Sequence, residues 1–155
     1  MAKRRARIEL DEAGQRALLA EARTLVLGTV GPDGRPHLVP MWFVLDDDGL
    51  PCCTSYARAQ KVRNIERDPR VTALVEAGES YGELRGVAID GRAELIAGDA
   101  ERTRAVMEAI GLRHGAAVSP EAARPARQAP KRVVLRIHPE RVRSWDHRRL
   151  GVGSG

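Results

Sequence analysis

Residues 24–56 read TLVLGTV GPDG RPHLVPMWFVL DDDG LPCCTSY. Three apolar runs, Thr24–Val30, His37–Leu45 and Leu50–Tyr56, are separated by Gly31-Pro32-Asp33-Gly34 and Asp46-Asp47-Asp48-Gly49. Glycine tolerates a left-handed backbone, proline presets a turn dihedral, and aspartate bonds its own main chain. Each cluster therefore reads as a turn, and the three runs as a β-meander. Pro36 and Pro40 fall in the second run. A proline cannot donate to a ladder, which predicts an irregularity around Val39 to Trp42.

The pattern changes on both sides of this stretch. Asp11 precedes Ala17, Leu18 and Leu19, set among polar residues, as the N-cap of a first helix that ends before Thr24. Downstream, Val62 and Ile65 share one helical face within Arg58–Arg67, and Pro69 stops that helix. Arg70–Ala77 returns to strand character. From Gly86 to Leu95 the alternation is clean, with Val87, Ile89, Ala93 and Leu95 opposite Asp90, Arg92 and Glu94, as in a half-buried antiparallel strand. A helix from Asp99 as N-cap to Leu112, a loop over Gly115–Pro130 and a last strand over Arg132–His138 complete the chain. Six strands with short helices at the corners predict a mainly β (α+β) antiparallel barrel rather than a parallel βαβ sheet.

A chain of 155 residues fits one domain, here 1–155, with a core from Asp11 to Leu150 between a basic N-terminal and a glycine-rich C-terminal tail. Lys plus Arg is 26 against 21 Asp plus Glu, a net +5, which favours an anionic partner. Glu9, Asp11 and Glu12 interrupt the basic start before a signal region forms. No uncharged run approaches the roughly 18–20 residues needed to cross a bilayer. A cytoplasmic protein without a membrane partner is expected. Cys52 and Cys53 are adjacent and would face opposite sides of a strand, so they read as core residues, and no metal site is expected. The aromatic residues are Trp42, Phe43, Tyr56, Tyr81 and Trp145, few for stacking single-stranded nucleic acid.

No glycine-rich phosphate loop, His-Glu-x-x-His or Cys-x-x-Cys occurs. His114 and His138 read as structural or solvent-facing. The segment Thr54-Ser55-Tyr56-Ala57-Arg58-Ala59-Gln60-Lys61-Val62-Arg63-Asn64 stands out. There a strand end leads into a helix start, whose free N–H groups and positive dipole end favour an anion, and hydroxyls with Arg58 and Lys61 are added to them. The segment reads as a phosphate cradle or as a solvated basic helix face.

Gly31-Pro32-Asp33-Gly34-Arg35-Pro36-His37, then Met41-Trp42-Phe43, then Gln60-Lys61-Val62-Arg63-Asn64-Ile65 with Asp68-Pro69-Arg70-Val71, resembles the pyridoxamine 5'-phosphate oxidase-like split barrels. Leu84-Arg85-Gly86-Val87, Gly91-Arg92-Ala93-Glu94 and Ser144-Trp145-Asp146-His147-Arg148 look more narrowly like the actinobacterial flavin/deazaflavin oxidoreductases of the B group. The likeness spans Leu18 to Gly151. It implies a homodimer of six-stranded FMN-binding-type split barrels with a cofactor in a groove between the two chains. The cofactor phosphate would lie on Thr54, Ser55, Lys61 and Asn64, with Arg58 one step further off. A bulged strand carrying Pro40, Met41 and Trp42 would lie beside the tricyclic ring, and Trp145 and Arg148 would approach from the partner chain.

Three functions follow. A coenzyme F420 (deazaflavin)-dependent reductase would transfer hydride to an unsaturated small molecule, and surplus positive charge suits that polyanionic cofactor. An FMN-dependent oxidoreductase of the same fold needs only one phosphate site. A non-enzymatic basic module would bind nucleic acid, or carry haem or another ligand on the same barrel, although no nucleic-acid motif is present. No catalytic residue stands out. Solvent or His37 would supply a proton.

Overall fold

Both expected turns form around a left-handed glycine, Gly34 at φ +82° and Gly49 at φ +77°. Asp33 accepts from the Arg35 amide, and Asp46 accepts from the amides of Asp48 and Leu50, so each aspartate closes its own turn. The computed structural model describes residues 2–115 and 127–151. In chain order the elements are α1 (Ala2–Ile8), α2 (Glu12–Glu21), β1 (Thr24–Val30), β2 (Pro36–Trp42), β3 (Val44–Leu45), β4 (Pro51–Tyr56) and α3 (Gln60–Arg67). Then follow β5 (Arg70–Ala77), β6 (Arg85–Ile96), α4 (Ala100–Arg113) and β7 (Arg132–Asp146), with 3-10 turns at Tyr81–Glu83, Ala129–Lys131 and His147–Leu150.

The strands form one antiparallel sheet in the order β2-β1-β5-β6-β7-β4-β3. Seven segments replace the expected six because the run His37–Leu45 is divided at Phe43. Its first half pairs with β1 and its second with β4, at opposite ends of the sheet order. One residue thus joins the two edges, which closes the sheet into a split barrel. Phe43 is fully buried in the core at that junction. The irregularity expected around Val39 to Trp42 therefore falls one residue later. The β1–β2 register runs unbroken to Thr24 opposite Trp42, and Pro40 is tolerated because β2 pairs on one side only.

The last strand also departs from expectation. It continues past Pro139 to Asp146, with a register shift between Asp90 and Gly91 where β6 faces Pro139. The bulge absorbs the proline, and β7 pairs onward with β6. Helix α1 was not anticipated; most of the expected loop over Gly115–Pro130 lies outside the described residues, and Ala129–Lys131 is a 3-10 turn.

Alternation turns Leu25 and Leu27 of β1, Val71, Ala73 and Val75 of β5, Val87 and Ile89 of β6, and Val133, Leu135 and Ile137 of β7 into one core. Full burial of each valine, leucine or isoleucine in this set contributes about 1.5–3 kcal/mol. Helix α4, capped by Asp99 on the Arg102 amide, lies across β4 and β7 and buries Cys52 and Val134 on the other side of the sheet. Asp11 caps α2 as expected, accepting from the Gly14 amide. Among the described residues no helix is long and apolar enough to cross a membrane.

Candidate functional site

Helix α3 begins directly after β4 and the turn Ala57–Ala59. Its N-cap is Ala59, which has no side chain to bond the first-turn amides. The start of the helix is therefore open to an anion. Val62 and Ile65 are buried beneath the helix, so its axis is fixed by packing.

Lys61 sits in this first turn and is partly buried. The register of β4 with β7 sets Arg132 opposite Tyr56. The Arg132 guanidinium lies 4.1 Å over the Tyr56 ring and its Nη1 is 3.5 Å from Thr54 Oγ1. Burial, and after it the charge of Arg132, holds the Lys61 ammonium below its usual pKa. Neither cation has a carboxylate partner among the described residues, and the enclosed Nε of Arg132 bonds nothing there.

Three other partly buried arginines are matched with acids. Arg136 binds Asp46 at 2.6 Å and Asp48 at 2.6 Å, Arg85 binds Glu21 at 2.8 Å, and Arg143 binds Asp90 at 2.8 Å. Against that background the Lys61–Arg132 pair, at an uncapped helix start, is a concentration of positive charge that no carboxylate compensates among the described residues. An oxyanion with several lone pairs answers it.

The cradle residues do not all face one way. Thr54 points to the side of Arg132, whereas Ser55 is 3 % exposed and its hydroxyl bonds its neighbour's carbonyl. Arg58 is exposed. Asn64 is 0 % exposed, and its amide is occupied within the fold. It donates to Thr29 Oγ1 at 2.9 Å and accepts from Gln60 at 2.8 Å. Arg67 adds a bond to the Val30 carbonyl, so this face of α3 is pinned to β1 rather than offered to a ligand.

On β2 the alternation sends Pro40 and Trp42 outward and Met41 toward the core. Trp42 is 56 % exposed, and its indole stacks on His114 with ring centroids 3.9 Å apart. Trp145 lies across Gly86, where an added Cβ would meet the indole at 2.2 Å. Arg148 forms a bidentate pair with Asp146 of its own chain. His37 has an enclosed, unpartnered Nδ1. Burial pushes the thiols of Cys52 and Cys53 up to about 12, so both stay protonated and unreactive. No group of His, Cys, Asp or Glu among the described residues is arranged to hold a metal.

Sequence reasoning missed Arg132 and His114. Arg132 is 78 residues from Thr54, and only the β4–β7 ladder joins them. A basic residue opening the strand that pairs with the cradle strand is the signal, legible once that pairing is known.

The profile of the pyridoxamine 5'-phosphate oxidase family matches residues 12–146. A conserved hypothetical protein of Mycobacterium tuberculosis, Rv2991, is 38% identical over 97% of this chain and 94% of its own, with a TM-score of 0.88. A structure described as an F420 reductase is 26% identical over 86% of this chain and 98% of its own, with a TM-score of 0.69. HutZ, the haem storage protein of Vibrio cholerae, is 24% identical over 84% of this chain and 92% of its own, with a TM-score of 0.65, and shares the fold. The fold and the extent of the match agree: this chain belongs to the pyridoxamine 5'-phosphate oxidase family.

Proposed function

We propose that the protein is a cytoplasmic, homodimeric oxidoreductase of the flavin/deazaflavin B group that uses coenzyme F420 to reduce an unsaturated small molecule. The observation that carries this reading is the Lys61–Arg132 pair beside the uncapped start of α3, without a carboxylate among the described residues. A phosphate supplies the negative charge and acceptor atoms that this cluster lacks.

Lys61, Arg132, the Thr54 hydroxyl and the first amides of α3 would bind the phosphate. Pro40 and Trp42, on the outward side of β2, would flank the ring, with Met41 supporting them from the core side. Trp145 and Arg148 would come from a second copy of the chain. Arg58 is the exposed cation nearest the cradle in sequence. Asn64 acts from inside the fold, holding α3 on β1. Ser55 belongs with Asn64 rather than with the phosphate, because its side chain is buried.

When bound, the deazaflavin supplies the hydride, and the protein's part is to orient the ring and exclude water. The choice of F420 over FMN rests on the net charge of +5, which suits a long polyanion, and on the resemblance of the motifs and the F420 reductase neighbour. FMN would use the same phosphate site. Titration of the purified apoprotein with F420 and FMN side by side tests the reading. F420 should bind more tightly, and its binding should weaken as salt rises. Equal or tighter FMN binding makes the protein an FMN enzyme, and tight nucleic-acid binding with neither cofactor bound overturns both readings. Light scattering should return about twice 17.0 kDa.

A further inference from the structure

We infer that His114 is a positioning residue that fixes the indole of Trp42 on the outer side of β2; its purpose in cofactor binding rests on the reading above. Trp42 stands on an edge strand and is 56 % exposed, so its own strand does little to restrict its rotamer. The restraint comes from the imidazole, parallel to the indole within 14° at a centroid separation of 3.9 Å. Stacked aromatic pairs gain from dispersion and complementary charge distribution beyond simple burial.

The imidazole is itself held at several points. The backbone amide of His114 closes the end of α4, bonding the carbonyls of Ile110 and Gly111 at 3.1 Å each. Its ring Nε2 is 3.1 Å from the Arg23 carbonyl, which fixes Nε2–H as donor. The preceding Arg113 donates to the carbonyls of Leu19, Ala20 and Ala22, and its guanidinium lies 4.8 Å over the ring of Phe43. Arg113, the last residue of α4, and the C-cap His114 thus grip the connection from α2 into β1 and the residue that joins β2 to β3.

The geometry closes on itself. Arg23, which accepts from the imidazole, directly precedes Thr24, and Thr24 is the register partner of Trp42. The plate that orients the indole and the strand that carries it are therefore tied to adjacent residues, Arg23 just before β1 and Thr24 at its start. A movement of α4 would have to break the Arg23 bond or slide the stack. One face of Trp42 is occupied by the imidazole, which leaves the other face and the ring edge for a flat ligand.

The test separates stacking from mere packing. In a Trp145→Phe background the remaining tryptophan is Trp42, and acrylamide quenching of its emission reports its accessibility. His114→Ala should raise that quenching and, in the otherwise native chain, weaken F420 or FMN binding roughly three- to tenfold, the range expected for loss of one stacked pair. His114→Phe restores a flat ring without the Arg23 bond and should recover most of both. Unchanged quenching in His114→Ala, or raised quenching with unchanged cofactor affinity, overturns the inference. Equal weakness of the alanine and phenylalanine variants with a shared loss of thermal stability overturns it too, since the residue would then act through folding. A wild-type chain that binds neither cofactor overturns the functional reading and the stack's assigned purpose together, which the failed rescue in a binding-competent protein does not.

Discussion

Replacing Lys61 by alanine should weaken cofactor binding about ten- to a hundredfold while leaving the apoprotein as stable as before. The binding loss follows from removal of one charge-assisted hydrogen bond to phosphate, worth about 1.5–3 kcal/mol, at about 1.4 kcal/mol per factor of ten. The absence of a stability loss follows from the surroundings of the lysine. Lys61 has no carboxylate partner among the described residues, and burial followed by the charge of Arg132 already lowers its pKa. The folded apoprotein therefore holds this ammonium at a cost, and truncation forfeits no ion pair among the described residues. Alanine is also the better helix former in the first turn of α3.

The pH dependence carries the sign. A base whose folded pKa is lowered binds its proton more readily in the unfolded chain, so stability rises with pH between the lowered value and the ordinary 10.5. That rise should be missing in Lys61→Ala, and bound phosphate should reduce it in the native protein by favouring the charged amine. The assay is a fluorescence titration with cofactor beside thermal melts over alkaline pH. Lys131→Ala is the control, because Lys131 is exposed and one residue from Arg132, outside the first turn of α3. Equal loss of affinity in the two variants would reduce the effect to general electrostatics. A marked fall in apoprotein stability for Lys61→Ala would make the residue structural and refute the cradle.

Asn64→Leu should cost about 1–3 kcal/mol in urea unfolding, because it leaves the buried Thr29 hydroxyl and the Gln60 amide without their partner; a neutral result would refute the pinning of α3 on β1. Gly86→Ala places a Cβ 2.2 Å from the Trp145 indole and should destabilise by about 1–3 kcal/mol, with a changed near-ultraviolet tryptophan signal. An unaltered spectrum would mean that Trp145 does not rest on Gly86. Burial raises the Asp46 pKa, but the Leu50 amide and Arg136 outweigh it and hold the carboxyl below 3.8. Its contribution to stability is present above that ordinary value and is lost as pH falls through the lowered one. Asp46→Asn should flatten this acid limb in melts taken from neutral pH downward.

The parts that could be read along the chain are those whose causes lie within a few residues. The Gly31–Gly34 and Asp46–Gly49 turns, the Asp11 and Asp99 caps, and the alternation of β6 all depend on neighbours in sequence. They are found where the residues predict them. Lys61 at a strand-to-helix junction was legible for the same reason, since a helix start favours an anion wherever it occurs. Arg132 was not, because nothing local marks it and only a ladder between distant strands brings it to Thr54.

The division of the second run at Phe43 depends on two sheet edges meeting, and no short window of sequence contains both. The extension of β7 past Pro139 depends on a bulge opposite Gly91 in another strand. Thr54 and Ser55 illustrate the limit most plainly. Adjacent hydroxyls look like one cradle in the sequence, but a strand turns alternate side chains to opposite sides, and the packing of the barrel selects which is enclosed. Trp42 and His114 meet because the end of α4 grips the residue before β1. Local chemistry sets what each segment can form. Long-range pairing decides which side chains share a site, because strand register and barrel closure are properties of the whole sheet.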